Sequence, residues 1–265
     1  MKLCFSTLGC PDWDVWEIAE KAKEYGYQGI ELRIKEDKHF PVTSTKEERK
    51  KVLAHYKKNG VKIAVIGGYT FWASLDDHIL EENKKLMMEY IDLAADLEAE
   101  YIRTFIGDFD KAVSIDKIAA KAGQYLQICA EEAEKKNVKI LIETHDSFDT
   151  GKKVKKVLDN IESNAVGVIW DIHHPVNGGE SIEDTYKAIG SKIEHLHLKD
   201  AKRLEDGSEV MCLMGEGDLP VKKIVQIMED SGFSGYYSLE WEKFWIRSLQ
   251  GPEIAFPQYV DYMKE

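Results

Sequence analysis

A chain of 265 residues, 43% of them hydrophobic and 32% charged, holds enough apolar material for a sizeable core, which argues against a disordered state. Lys and Arg number 36 against 48 Asp and Glu, a formal net charge of −12, the wrong sign for gripping polyanionic DNA or RNA. At roughly 150 residues per domain the length allows one or two domains, although α/β barrels use about 250 residues as one.

Short apolar runs alternate with longer amphipathic stretches from end to end. Strands are expected at 2–7 (KLCFST), 28–33 (QGIELR), 61–66 (VKIAVI), 100–106 (EYIRTFI), 138–143 (VKILIE), 165–171 (AVGVIWD), 193–198 (IEHLHL) and 236–240 (YYSLE). Helices are expected between and after them, near 12–25, 46–59, 75–98, 115–136, 151–161, 182–190, 220–231 and 252–264. The Ser44 to Glu47 spacing reads as a capping box, and Gly60, Asn137 and Gly232 fall just past helix ends. Eight strand–helix units with no linker or break in composition predict an α/β fold, a (β/α)8 barrel forming a single domain over 1–265. A doubly wound open sheet is disfavoured, because TLGCPDWD after the first strand is not a glycine-rich dinucleotide loop.

Cys4, Cys10, Cys129 and Cys212 lie far apart with no C-x-x-C pair, the pattern of reduced thiols rather than of a disulfide framework or a thiolate zinc site. The opening MKLCFSTLGC lacks the long apolar stretch of a signal peptide, and no run approaches the roughly 18 apolar residues of a membrane helix. A cytoplasmic enzyme with no membrane partner is the expectation.

In a barrel of this kind chemistry sits where the strands end. The last four strands end in ligand-type side chains: Glu143, Asp171, His197 and Glu240. Neighbouring parallel strands lie about 4.8 Å apart, so inward-pointing side chains on four of them can converge on one ion. One such carboxylate is readily a loop residue or a helix cap. Three together would repel one another without a compensating cation. Three carboxylates and an imidazole suit one hard or borderline divalent ion, Mn²⁺ first, with Co²⁺, Mg²⁺ or Zn²⁺ also suited.

ETHD at 143–146, WDIHH at 170–174, HLHLKD at 195–200, GEGDLP at 215–220 and GYYSLEWE at 235–242 occur in the order found in a known superfamily. Through them the chain resembles the metal-dependent sugar isomerases and epimerases with the xylose-isomerase-like barrel. That group includes ketose 3-epimerases, inosose isomerases and dehydratases, and endonuclease IV. The resemblance implies that Glu143, Asp171, His197 and Glu240 are the metal ligands and that Glu143 and Glu240 also form the acid/base pair. It further implies that His174, three residues after the aspartate, and Arg203, six after the histidine, contact substrate. A proton next to a carbonyl would then move through an enediolate stabilised by the ion.

His145 reads as an extra acid/base, a substrate hydrogen-bonder or a plain loop histidine, and Lys199 as a contact for a substrate oxygen or phosphate or a surface lysine. His195, one layer deeper than His197, reads as a satisfied core histidine. Glu31 and Arg103 could reach the mouth, or form a buried ion pair supporting the barrel. Trp13, Tyr69, Phe71, Trp72, Phe105, Trp241 and Trp245 crowd the expected mouth loops, where aromatic rings could pack on sugar C–H faces or form a subunit interface of a homo-oligomer. GEGDLP reads as a turn leading into a helix at Pro220.

The expected function is therefore a metal-dependent isomerase or epimerase of a sugar or sugar phosphate. A dehydratase or lyase acting on a keto-sugar or inosose is the variant on the same site, with His145 assisting the leaving group. An endonuclease IV-like nuclease fits poorly. Its extra histidines would fall where this chain has Gly67, Gly68 and Gly107, and its substrate would meet a charge of −12. A non-catalytic sugar-binding subunit would not need two glutamates at the ion.

Overall fold

A computed structural model describes residues 1–34 and 39–265. Eight parallel strands close into a barrel: β1 (Lys2–Ser6), β2 (Gly29–Arg33), β3 (Lys62–Gly67), β4 (Tyr101–Thr104), β5 (Lys139–Glu143), β6 (Val166–Asp171), β7 (Ile193–Leu198) and β10 (Tyr236–Leu239). β10 lies between β7 and β1 and closes the ring. Each expected strand is found, its ends within two residues of those expected. The helices α1 (Val15–Tyr25), α2 (Lys46–Asn59), α3 (Asp77–Asp96), α4 (Ile115–Lys135), α5 (Gly151–Leu158), α7 (Ile182–Ile189), α8 (Val221–Asp230) and α9 (Pro252–Tyr262) likewise match their expected stretches.

Two elements have no counterpart in the periodicity. A five-residue helix, α6 (His173–Asn177), directly follows β6, and an antiparallel hairpin of β8 (Asp200–Arg203) and β9 (Glu209–Cys212) follows β7. At four or five residues apiece these elements barely repeat a hydrophobic period, so neither leaves an amphipathic signature. The capping box is also one residue later than expected. Thr45 caps α2 and accepts from Glu48 N, while the Glu48 carboxylate accepts from Thr45 N at 2.7 Å. Ser44 is instead buried, its hydroxyl 3.2 Å from Arg49 Nε. Gly60 ends α2 at φ 71°, a left-handed conformation that favours glycine.

The larger core lies between the barrel and its helices. A second buried cluster of Cys4, Ala64, Val65, Tyr101, Leu141, Ile169 and Tyr236 fills the lower barrel. Two residues further along the same faces, the chemistry changes from apolar to charged: Leu141 gives way to Glu143, Ile169 to Asp171, and Tyr101 to Arg103, all buried. Side chains alternate across a strand with period two, so a floor of apolar residues places the next inward residue at the mouth. Among the described residues no helix is long and apolar enough to cross a membrane.

Candidate metal centre and active site

Glu143 ends β5, Asp171 ends β6, His197 lies one residue before the end of β7, and Glu240 directly follows β10. Local bonds fix these positions. Thr144 Oγ1 lies 3.0 Å from both the Asp171 carbonyl oxygen and the Asp171 amide, and the Glu240 amide donates to Leu198 O at 2.9 Å. Asp171 and His197 are register partners on adjacent strands. One ligand atom from each of Glu143, Asp171, His197 and Glu240 lies within 4.8 Å of the others, and all four residues are buried.

Three carboxylates and one imidazole form a donor set for a hard or borderline divalent ion. Glu143 Oε2 is buried and accepts no hydrogen bond, which suits a group that receives a cation instead. His197 is oriented for the same task. Its Nε2 lies 2.9 Å from Glu31 Oε2, and its Nδ1 lies 3.1 Å from Glu143 Oε1 and 3.5 Å from Glu240 Oε1. An ionised carboxylate only accepts, so Glu31 takes the Nε2 proton and leaves Nδ1 to face the cluster. Glu31 also receives His195 Nε2 at 3.0 Å and the Ser238 hydroxyl.

Cations are packed against the carboxylates. Lys199 Nζ lies 2.8 Å from Asp171 Oδ2, 2.6 Å from Glu240 Oε2 and 3.0 Å from Glu242 Oε1, and Arg103 Nη1 lies 3.4 Å from Glu143 and 3.6 Å from Glu240. Burial alone would raise the Glu240 carboxyl, but Lys199, His197 and Arg103 outweigh it and hold the group well below the usual carboxylate range. The same balance lowers Asp171, where burial is outweighed chiefly by Lys199 and then His174. Burial likewise opposes charge on His197, yet Glu31, Glu240 and Glu143 raise it well above an ordinary histidine.

Above the cluster opens a cavity of about 330 Å³, lined by Leu8, Tyr69, Phe71, Arg103, Phe105, His145, Asp146, Glu240, Glu242 and Trp245. Its size suits a small sugar. Phe71 stacks on Phe105 at 5.4 Å, and His145 meets the Phe105 edge at 4.8 Å. Burial works against charge on His145, but Asp146, bonded to Nδ1 at 2.8 Å, and Glu143 push it up to about 9. His174 sits beside it, ring centroids 4.3 Å apart, with Nε2 3.6 Å from Asp171 Oδ2. Burial, with Lys199 and His145 adding to it, lowers His174 below the ordinary value despite Asp171. Adjacent imidazoles therefore favour opposite protonation states.

Several expected positions differ. Trp13 and Trp72 do not line the cavity. Trp13 is buried with its ring edge-on to Phe256 at 5.7 Å, and Trp72 is fully enclosed, donating Nε1–H to Thr104 Oγ1 at 2.7 Å. Trp241 is also buried, donating to Gln250 O at 2.9 Å. Trp72 and Trp241 have each found a buried site and an acceptor for the indole N–H, and Trp13 a buried ring to pack against, which makes all three core. Arg203, on β8, is 62% exposed in its side chain, pairs with Glu209 at 2.8 Å across the hairpin and is not among the residues that line the cavity. Lys199 is buried rather than on the surface. His195 is indeed a core residue held by Glu31, and Glu31 serves two histidines rather than Arg103.

Sequence reading did not single out Glu242, Asp146 or Leu8 as wall residues. Glu242 could have been found, since it shares strand parity with Glu240. Asp200, the last residue of HLHLKD, was also not singled out, and it builds the GEGDLP loop. Its carboxylate accepts from Gly215 N at 2.9 Å, Gly217 N at 3.0 Å and Leu219 N at 3.2 Å. A Cβ at Gly217 would fall 2.1 Å from Asp200 Oδ1, so this approach requires glycine. Pro220 then caps α8, which begins at Val221, one residue later than expected.

A family model described as xylose isomerase-like TIM barrel matches residues 19–264. The chain is 22% identical over 252 residues to fructoselysine 3-epimerase of Shigella flexneri, covering 91% of this chain and 90% of that one. It is 26% identical over 142 residues to inosose dehydratase of Clostridium perfringens, covering 47% of this chain and 45% of that one. Among solved structures, IOLI protein with a binding zinc atom superposes with a TM-score of 0.81 at 19% identity, covering 100% of this chain and 95% of that one, a likeness of fold.

Proposed function

The chain belongs to the xylose isomerase-like TIM barrel family, and from that premise we propose that it is a divalent-metal-dependent isomerase or epimerase of a sugar or sugar phosphate. The observation that carries this reading is the meeting of two glutamates with an aspartate and a histidine, ligand atoms within 4.8 Å, one of them, Glu240, also lining a sugar-sized cavity. Fructoselysine 3-epimerase, similar along nearly its whole length, and the zinc in IOLI protein support it.

Glu143, Asp171, His197 and Glu240 would hold the ion, manganese first, with cobalt, magnesium or zinc also suited to the donor set. When bound, the ion supplies positive charge that polarises a carbonyl oxygen and lowers the cost of the negative charge left as the neighbouring proton departs. One of Glu143 and Glu240 would accept that proton at a carboxylate oxygen, and the other, carrying a proton taken from solvent, would give it to the opposite face of the carbon. His174, whose buried Nε2 has no hydrogen-bond partner among the described residues, holds a substrate oxygen, and Lys199 and Arg103 offset the clustered negative charge. Phe71, Phe105 and Trp245 supply apolar faces for sugar C–H groups and exclude water. Arg203 has no part here, its guanidinium being paired with Glu209.

His145 favours a second reading, a keto-sugar or inosose dehydratase on the same residues. It lines the cavity and, pushed up to about 9, carries a proton at neutral pH that it could give to a departing hydroxyl. Solvent-deuterium uptake into a panel of ketoses, ketose phosphates and inososes, with elimination followed in the same tubes, tests both. Deuterium incorporated at a retained carbon skeleton supports the isomerase reading. Loss of water supports the lyase, and neither event with any substrate refutes the proposal.

A further inference from the structure

Arg33 ends β2 beside the cavity, and its side chain is not used by the chemistry above. It is 2% exposed, and its Nε donates to the Tyr69 hydroxyl at 2.7 Å. Among the described residues, its buried Nη1 and Nη2 have no hydrogen-bond partner. The other buried arginine of the mouth, Arg103, has two glutamates beside it. The Arg33 guanidinium is packed instead among rings, 4.0 Å from the Phe244 centroid, 5.3 Å from Trp245 and 5.4 Å from Tyr69. Aromatic faces return roughly 0.5–2 kcal/mol each to a cation, whereas a buried charge without a partner costs several. They also leave the N–H fork unused, and that fork matches the paired oxygens of a carboxylate or phosphate.

Two of the rings on Arg33, Tyr69 and Trp245, also line the cavity. Tyr69 is shared by the two guanidiniums, its ring centroid 4.9 Å from Arg103 and 5.4 Å from Arg33, so one ring links Arg33 to the residues at the carboxylate cluster. Trp245 is 55% exposed, so the rings around Arg33 reach from the buried guanidinium to the solvent-facing wall of the cavity.

We propose that Arg33 receives an oxyanion carried by the substrate away from its reacting carbons, which makes the substrate an acidic ketose, a sugar acid or a sugar phosphate. The inference rests on the sugar-enzyme reading above and narrows its substrate class. Calorimetric titration with D-fructose, D-fructuronate and D-fructose 6-phosphate tests it by binding alone, on manganese-loaded and untreated protein. The expected result is that at least one acidic ketose binds about tenfold or more tightly than D-fructose, and which one does so separates carboxylate from phosphate. Arg33→Gln is expected to bring the three within about twofold, and Arg33→Lys, which keeps the charge and loses the fork, to fall between. The wild-type comparison stands if Arg33→Gln fails to fold. Equal binding of acidic and neutral sugars, no binding at millimolar concentrations, or full preference in a folded Arg33→Gln overturns the proposal. An Arg33-dependent preference without deuterium uptake from any substrate would refute the isomerase reading and leave the anion site standing.

Discussion

Replacing Glu31 by glutamine is expected to weaken metal binding by about 10- to 100-fold, or about 1.4–2.7 kcal/mol, although Glu31 is not itself among the four clustered donors. Glu31 is 1% exposed and its two oxygens serve two imidazoles, His195 at 3.0 Å and His197 at 2.9 Å. A glutamine has one acceptor oxygen, so one imidazole would face an NH2 group and lose its orientation. His197 would also lose the negative charge that makes its Nδ1 a stronger donor. The buried mismatch should cost about 1–3 kcal/mol of stability as well, so thermal unfolding is followed beside a competition titration against a chromophoric chelator. Ile140→Val is the control: a core change costing about 0.5–1.5 kcal/mol that should leave metal affinity unchanged. Glu31→Gln binding metal within about twofold of wild type would refute the argument that Glu31 aims His197.

Glu240→Gln should abolish solvent-deuterium uptake, by about a thousandfold or more, while shifting the melting temperature only a few degrees, since the apolar floor lies beneath it; wild-type-like exchange would remove Glu240 as acid/base. Trp72→Phe should cost about 1–3 kcal/mol, because Thr104 Oγ1 loses its 2.7 Å partner inside the core, yet leave sugar KM unchanged; a raised KM at unchanged stability would return Trp72 to the pocket wall. Glu209 offers a pH test. Burial opposes its ionisation, but Asn177, His173 and Arg203 depress it from 4.5 to about 2. A depressed carboxylate contributes stability that is present above the unfolded value and lost as pH falls from about 4.5 towards 2. Glu209→Gln should therefore flatten that part of the stability curve, by about 1 kcal/mol after solvent screening, and an unchanged curve would refute it.

Period-two strands and 3.6-period helices made the barrel legible, because each buries one face along a length that repeats. The hairpin of β8 and β9 and the short α6 escaped, being too brief to show a period. The same regularity placed Glu143, Asp171, His197 and Glu240, since a strand's last inward residue must face the mouth. Loop residues obey no such rule. Trp13 and Trp72 lie in segments rich in aromatics, but composition does not say which ring turns inward, and both turned into the core. Arg203 was placed by its offset from His197, which does not foresee that Glu209, across the hairpin, takes its guanidinium. Glu31 and Arg33 lie two residues apart on β2 and share parity, so only the folded chain shows that one holds two histidines and the other packs among rings.

The count of metal ions per chain tests the central claim most directly. Elemental mass spectrometry on protein purified without chelator, and again after reloading with Mn²⁺, Co²⁺ or Zn²⁺, should give about one ion per chain. His197→Ala should lower that occupancy and Ile140→Val should not. No ion after reloading, or equal occupancy in wild type and His197→Ala, would contradict the account.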